Sequence, residues 1–266
     1  QASHQIAVGQ PLGQFYGYVT DGLYQVSDFD YDATTNTYTL KDGVPYHGDK
    51  KQIQPGYWKF KNVDGSEDNL ITENDKTVIG NAFPDFYGGI NNTFTWKDFD
   101  LSIFLTYSYG AEVLNATKLT NTKTALTNKN VLAIANEANR WVTVNSNGEL
   151  IKNPEELAAV NRGKSVAVFG DNGSNNTYIH SWAVEDASYL KLSNITIGYS
   201  FPKRMINKLG LSKLRIYATG NNLLTWTPYT GFDPEVSTMS DALTPGVDFG
   251  AYPRSRSFVF GVNVAF

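Results

Sequence analysis

"FDLSIFLTYSYG", residues Phe99–Gly110, alternates without a break. Phe99, Leu101, Ile103, Leu105, Tyr107 and Tyr109 share one parity, and Asp100, Ser102, Phe104, Thr106 and Ser108 share the other. Side chains of an extended chain point alternately to opposite faces, so the stretch reads as a β-strand with a greasy face and a mostly polar one. Just before it, "FYGGINNTFTW" (Phe86–Trp96) sets Phe86, Ile90, Phe94 and Trp96 against Tyr87, Asn91, Thr93 and Thr95, and the two strands meet at Lys97-Asp98 in a tight hairpin. The same period recurs in "SFVFGVNVAF" (Ser257–Phe266), with Phe258, Phe260, Val262, Val264 and Phe266 opposite Ser257, Val259, Gly261, Asn263 and Ala265. "YLKLSNITIGYSF" (Tyr189–Phe201) alternates from Asn194 onward, but Leu190 and Leu192 are out of phase with it. "KLRIYATGNNLLTW" (Lys213–Trp226) slips near Gly220-Asn221-Asn222. An extra residue in one strand shifts parity in this way, so a β-bulge is expected in each.

A soluble antiparallel sheet with its apolar face on a core also alternates, so the connections must separate the two readings. The links at Lys97-Asp98 and Phe201–Lys213 are short, whereas Gly110–Asp186 and Thr227–Tyr252 are long. A connection of roughly 75 residues is unusual in a compact soluble domain. Short turns alternating with long loops are the rule in outer-membrane barrels.

Composition agrees without deciding. The chain has 266 residues, a net charge of −4 with no basic cluster, and no cysteine, which argues against nucleic acid as a partner and excludes disulfides and thiolate zinc sites. No run of about 18 apolar residues could form a spanning helix, and the first ten residues lack the features of a signal peptide. Barrel strands need only about 10 residues of alternating character, which a mildly negative mean hydropathy conceals. The 16 Tyr, 15 Phe and 5 Trp suit strands and membrane interfaces.

Within the long connection, "NVLAIANEANRW" (Asn130–Trp141) spaces Val131, Ile134, Ala135 and Ala138 as a helix would. "NPEELAAV" offers Asn153 as N-cap, Pro154 at the first helical position and Glu155 and Glu156 in the first turn. Two short helices are expected there. Residues 1–80 contain a hairpin signal at "DATTNTYTLKDG" and read as one large folded loop. The domain reading is therefore a loop region at 1–80 and about five strands within 81–266, with loops at 111–185 and 227–252.

His4, His47 and His180 show no metal-ligand spacing, and no nucleophile elbow, zinc-binding His pair or phosphate loop is present. No enzymatic activity is expected. In "NVDGSEDNLITEND", Asn62, Asp64, Ser66 and Asp68 alternate as oxygen ligands do in a calcium loop, with Glu73 as the closing carboxylate. If two residues bulge out, Asp75 takes that place. A Ca²⁺ or Mg²⁺ ion is the candidate ligand, and an acidic surface turn is the competing reading. Tyr57, Trp58, Trp141, Trp182 and Trp226 are candidates for stacking on sugar rings, set against the commoner use of aromatics as interface anchors or loop cores.

Six stretches in order, "VGQPLGQFYGYVTDGLYQ", "PGYWKFKNVDGS", "TVIGNAFPDFYGGINNTFTWKDFDLSIFLTYSYG", "VEDASYLKLSNITIGYSFP", "LGLSKLRIYATGNNLLTWTPYTGFDPEV" and "GVDFGAYPRSRSFVFGVNVAF", together resemble the carboxy-terminal part of a SusC/RagA-type TonB-dependent transporter of the Bacteroidetes outer membrane. The resemblance implies an all-β carboxy-terminal segment of a large antiparallel transmembrane β-barrel, with long extracellular loops carrying short helices. It implies an amino-terminal plug and TonB contact outside this chain, and a lid formed by a SusD-like lipoprotein. The implied substrate is an oligosaccharide, with peptides second. About five strands are far fewer than the roughly 22 of such barrels, so the chain reads as a fragment, and the terminal Phe266 resembles an outer-membrane assembly signal. Phe99, Leu101, Ile103, Leu105, Phe258, Phe260 and Val262 are expected to face lipid. The rival reading, a soluble all-β glycan-binding module at the cell surface, buries that same face in its own core.

Overall fold

A computed structural model describes residues 3–122, 130–169, 178–239 and 241–266. The chain divides into two units. One comprises 1–81, 114–184 and 238–250, the other 82–113, 185–237 and 251–266.

The second unit is built on a five-stranded sheet of β1 (Phe86–Trp96), β2 (Phe99–Tyr109), β3 (Tyr189–Ser200), β4 (Lys213–Trp226) and β5 (Ser257–Ala265). Each strand pairs antiparallel with its neighbour in sequence, giving an open meander with β1 and β5 at the edges. The β1–β2 turn occupies only Lys97 and Asp98, with Lys97 at φ +54°. The β3–β4 link turns on a short helix, Lys203–Ile206, and closes on Gly210 at φ +69°. Both links lie at one end of the sheet and the two long connections leave from the other.

Both parity slips are bulges. On the β2 side of β3, Phe104 faces Asn194 and Leu105 faces Leu192, so Ser193 is the extra residue. On the β4 side, Leu192 faces Leu224 and Asn194 faces Asn221, and Asn222 takes φ +52°. The bulges restore phase. Beyond them Leu190 and Leu192 rejoin the apolar face, opposite Trp226 and Leu224.

The other unit is a folded mass of short pairings. Gln14–Gly17 pairs with Thr77–Asn81, Thr20–Leu23 with Trp58–Phe60, and Phe29–Asp32 with Thr37–Leu40, the last being the hairpin expected at "DATTNTYTLKDG". Its core gathers Tyr18, Leu23, Trp58, Phe60, Trp141 and Leu157, with a smaller cluster of Tyr24, Phe29, Leu40 and Ile53 beside it. The helix Pro154–Val160 forms as expected, its Asn153 side chain accepting from the backbone N–H groups of Glu155 and Glu156 and its Leu157 buried.

The helix expected over 130–141 does not form. Only a 3₁₀ turn, Ala133–Ala135, is present. The Asn136 side chain accepts from the N–H groups of Ala138 and Asn139, an Asx-type turn that competes with helix continuation. A helix that periodicity did not announce, Ala116–Asn121, starts instead at Asn115, whose side chain accepts from Lys118 N–H.

Candidate functional site

The two faces of the sheet differ in chemistry. One carries Phe99, Leu101, Ile103, Leu105, Ile195, Ile197, Ile216, Phe258, Phe260 and Val262, and Phe260 is 80% exposed. Among the described residues Phe258, Phe260 and Val262 on this face are all exposed, whereas the soluble-sandwich reading requires the face to be a core. Aromatics gather at both of its ends: Phe99 packs tilted against Tyr199 (4.7 Å) at the turn end, and Phe86 stacks on Tyr109 (5.0 Å) at the loop end. A shallow apolar groove of about 490 Å³ runs over Ala218 between Ile197, Tyr199, Ile216 and Phe260.

The opposite face is a ladder of neutral polar pairs. Asn194 Nδ2 donates to Asn221 Oδ1 (2.7 Å) and Asn221 Nδ2 to Ser257 Oγ (3.0 Å). Thr196 and Thr219 share a hydroxyl bond of 2.8 Å, and Thr106 and Ser193 one of 2.7 Å. Charges stand only toward the ends of this wall. Near the turns, Arg215 makes a two-pronged contact with Asp100, Nε to Oδ1 at 2.9 Å and the second nitrogen to Oδ2 at 2.5 Å. The pair reaches across β3 over Gly198, where any Cβ would run into both side chains. Near the loops, Lys191 donates to Glu235.

The sequence-singled aromatics divide by surroundings. Trp141 and Trp58 are buried core residues, Trp141 packing so closely on Gly56 that a Cβ there would overlap its indole. Trp58 and Trp182 are brought together at 4.7 Å, with the buried His180 packed beside them. Tyr57 lines a separate cleft of about 300 Å³ with Asn36, Tyr38, Gln54, Thr143 and Phe169, whose lining residues carry no charge. Trp226 lies at the loop end of β4 on the apolar face, opposite Leu190 and half exposed. That is the placement of an interface anchor.

The acidic loop directs its oxygens at backbone. Asp75 is fully buried, its Oδ1 accepting from Val63 N–H (2.8 Å) and Asp64 N–H (3.3 Å) and its Oδ2 from Thr72 N–H (2.7 Å). Asn62 accepts from Gly65 N–H, Asp64 from Ser66 N–H, and Asp68 from Leu70 N–H, while the Asn62 amide donates to Ser66. Glu73 turns to Lys76 and the Tyr18 hydroxyl, and the Lys76 hydrogen bond holds its carboxyl below the usual range. Among the described residues, no three His, Cys, Asp or Glu side chains converge as a metal site.

Sequence reasoning missed the Lys191–Glu235 contact. The sequence shows Lys191 as a cation on the strand's polar face, but nothing in it marks Glu235, 44 residues on, as its partner.

The chain is 33% identical over 263 residues, 97% of its length, to TonB-dependent receptor P3 of Formosa agariphila, and 27% identical over 206 residues to TonB-dependent receptor SusC of Bacteroides thetaiotaomicron. The chain belongs to the SusC-type TonB-dependent receptors. It spans 22% of the first relative and 17% of the second. No family model matches it. The fold is that of a solved structure described as the RagAB peptide transporter, with a TM-score of 0.63 and 20% identity over all of this chain and 24% of that one. The five strands are thus part of a transmembrane β-barrel of the bacterial outer membrane, the apolar face meeting lipid and the Asn/Ser/Thr face lining the interior.

Proposed function

We propose that the receptor containing this chain imports oligosaccharides across the outer membrane, driven through TonB by a part of the protein outside this chain, with a SusD-like lipoprotein closing over its extracellular side. Family membership supports the importer reading. The observation that carries the substrate class is the interior wall, where Asn91, Ser102, Asn194, Thr196, Thr219 and Asn221 form a neutral belt and Asp100–Arg215 and Lys191–Glu235 neutralise each other at its ends. Hydroxyl and amide groups exchange hydrogen bonds with an uncharged, hydroxyl-rich solute at little desolvation cost. No covalent chemistry is involved. Binding energy and transmitted force perform the work. Residues 1–80 and 111–185 form the extracellular rim and the lipoprotein contact in this reading.

The test is uptake by cells expressing the full-length receptor and its neighbouring lipoprotein, offered labelled neutral oligosaccharides and labelled peptides in parallel. Oligosaccharide accumulation that is lost with TonB is expected. Peptide accumulation alone would overturn the substrate class and leave the importer standing; accumulation of neither would remove both. Gentle detergent purification of the same receptor should retain the lipoprotein.

A further inference from the structure

The connection after β4 is fastened to the interior wall by charge. Glu235 Oε1 accepts from the Tyr189 hydroxyl (2.9 Å), and its Oε2 accepts from Lys191 Nζ (2.7 Å) and Arg254 (3.1 Å). Arg254 Nε also reaches Asp233 (3.2 Å), whose other oxygen accepts from Glu235 N–H (3.0 Å). Tyr189 and Lys191 project from the same face of β3, whereas Glu235 and Arg254 lie on the outgoing and returning arms of the connection. Lys191 is thereby sealed, its side chain only 6% exposed.

A second set of contacts holds the outgoing arm. Tyr229 and Val236 are buried with Val113 and Ala187. Thr227 Oγ1 donates to Ser188 C=O (2.8 Å), and Glu185 accepts from the Thr230 N–H (3.0 Å) and hydroxyl (2.6 Å). Apolar pegs and an ion cluster of two cations and two carboxylates thus act on one stretch of ten residues. A charge cluster in this state is stable only while every member is paired, because removing one leaves its partner desolvated and uncompensated.

We propose that Glu235 is the buckle of a strap: it ties the outgoing arm (227–236) and the returning arm (251–256) of this connection to β3, so that both arms are a fixed part of the interior wall. Opening the strap would require Lys191, Glu235 and Arg254 to part together. The two arms are therefore a lintel and not a gate.

Hydrogen–deuterium exchange on the full-length receptor in detergent tests this. Peptides covering 228–236 should exchange on the timescale of β3 peptides in the unmodified protein. Glu235→Gln and Lys191→Met should each speed 228–236 at least ten-fold while β1 and β2 peptides stay unchanged, and the double variant should be no faster than the quicker single one. Arg254→Met, at a half-exposed position that the barrel tolerates more readily, should speed 251–256 most. The proposal is overturned by fast, coil-like exchange of 228–236 in the unmodified protein, by single variants that leave it slow, or by effects of the two substitutions that multiply independently.

Discussion

Ile103 and Ser102 are adjacent on β2 and belong to different solvents. Ile103 is midway along the strand on the apolar face, and Ser102 faces the interior with its hydroxyl bonded to Asn91. An Arg at Ile103 must be placed in hydrocarbon, at a cost of about 2–4 kcal/mol near the bilayer midplane, whereas Arg at Ser102 meets water and polar neighbours. Ile103→Arg should lower barrel stability in a lipid-vesicle unfolding titration by that amount and Ser102→Arg by far less; equal tolerance would contradict the face assignment. Glu235 has its own signature at this scale. Burial works to raise its pKa, but hydrogen bonds from Lys191 and Tyr189 and the charges of Lys191 and Arg254 outweigh burial and hold it below the ordinary range. Its contribution is therefore fully present above the unfolded value of about 4.3 and is lost as pH falls through the lower folded value. With Asp233, Arg254, Lys191 and Tyr189 as the groups facing it, exchange of 228–236 corrected for intrinsic rate should be flat from neutral pH to about 5 and rise only in stronger acid.

At the scale of elements, local chemistry decided where it was unopposed. The helix Pro154–Val160 has a cap, a proline at its start and two acids in its first turn, and it forms. Asn130–Trp141 had only apolar spacing, and Asn136 captured the backbone first. Propensity without caps is a weak prior. Asn153→Ala should accordingly cost about 1 kcal/mol of local stability, seen as faster exchange across 154–160 with β3 and β4 unaffected; an unchanged rate would mean that packing of Leu157 alone holds the helix. The strands show a different logic. Their register survives two bulges because a one-residue slip would send Leu190, Leu192 and Trp226 to the interior face and Lys191 to the apolar one.

For the whole molecule, an uncovered apolar face on five strands has a direct consequence. Phe258, Phe260 and Val262 are each more than half exposed, and a contiguous surface of this kind is compatible with solution only when another apolar phase covers it. The full-length receptor should remain in the pellet when native envelopes are washed with high salt or carbonate, and should be released by detergent. Release by salt alone would show that a protein partner, and not lipid, covers the face.

The alternation of Phe99–Tyr109 and Ser257–Phe266, the hairpin at Lys97-Asp98 and the unequal connections were legible because parity and turn length are properties of the local chain. They determined strands and faces, and favoured a barrel over a soluble sheet. The positions of both bulges were legible too, as breaks in phase. The sequence did not reveal which aromatics are core, because burial depends on neighbours distant in the chain: Trp141 and Trp58 look like Trp226 in sequence, yet two lie in a core and one on a sheet face. Nor did it show that the oxygens of 62–75 cap backbone N–H groups, since Asp75 meets Val63 only once the loop closes. The Lys191–Glu235–Arg254 buckle was beyond reach for the same reason. Its members are 44 and 19 residues apart, and only tertiary packing, which strips water from Lys191, makes their pairing obligatory.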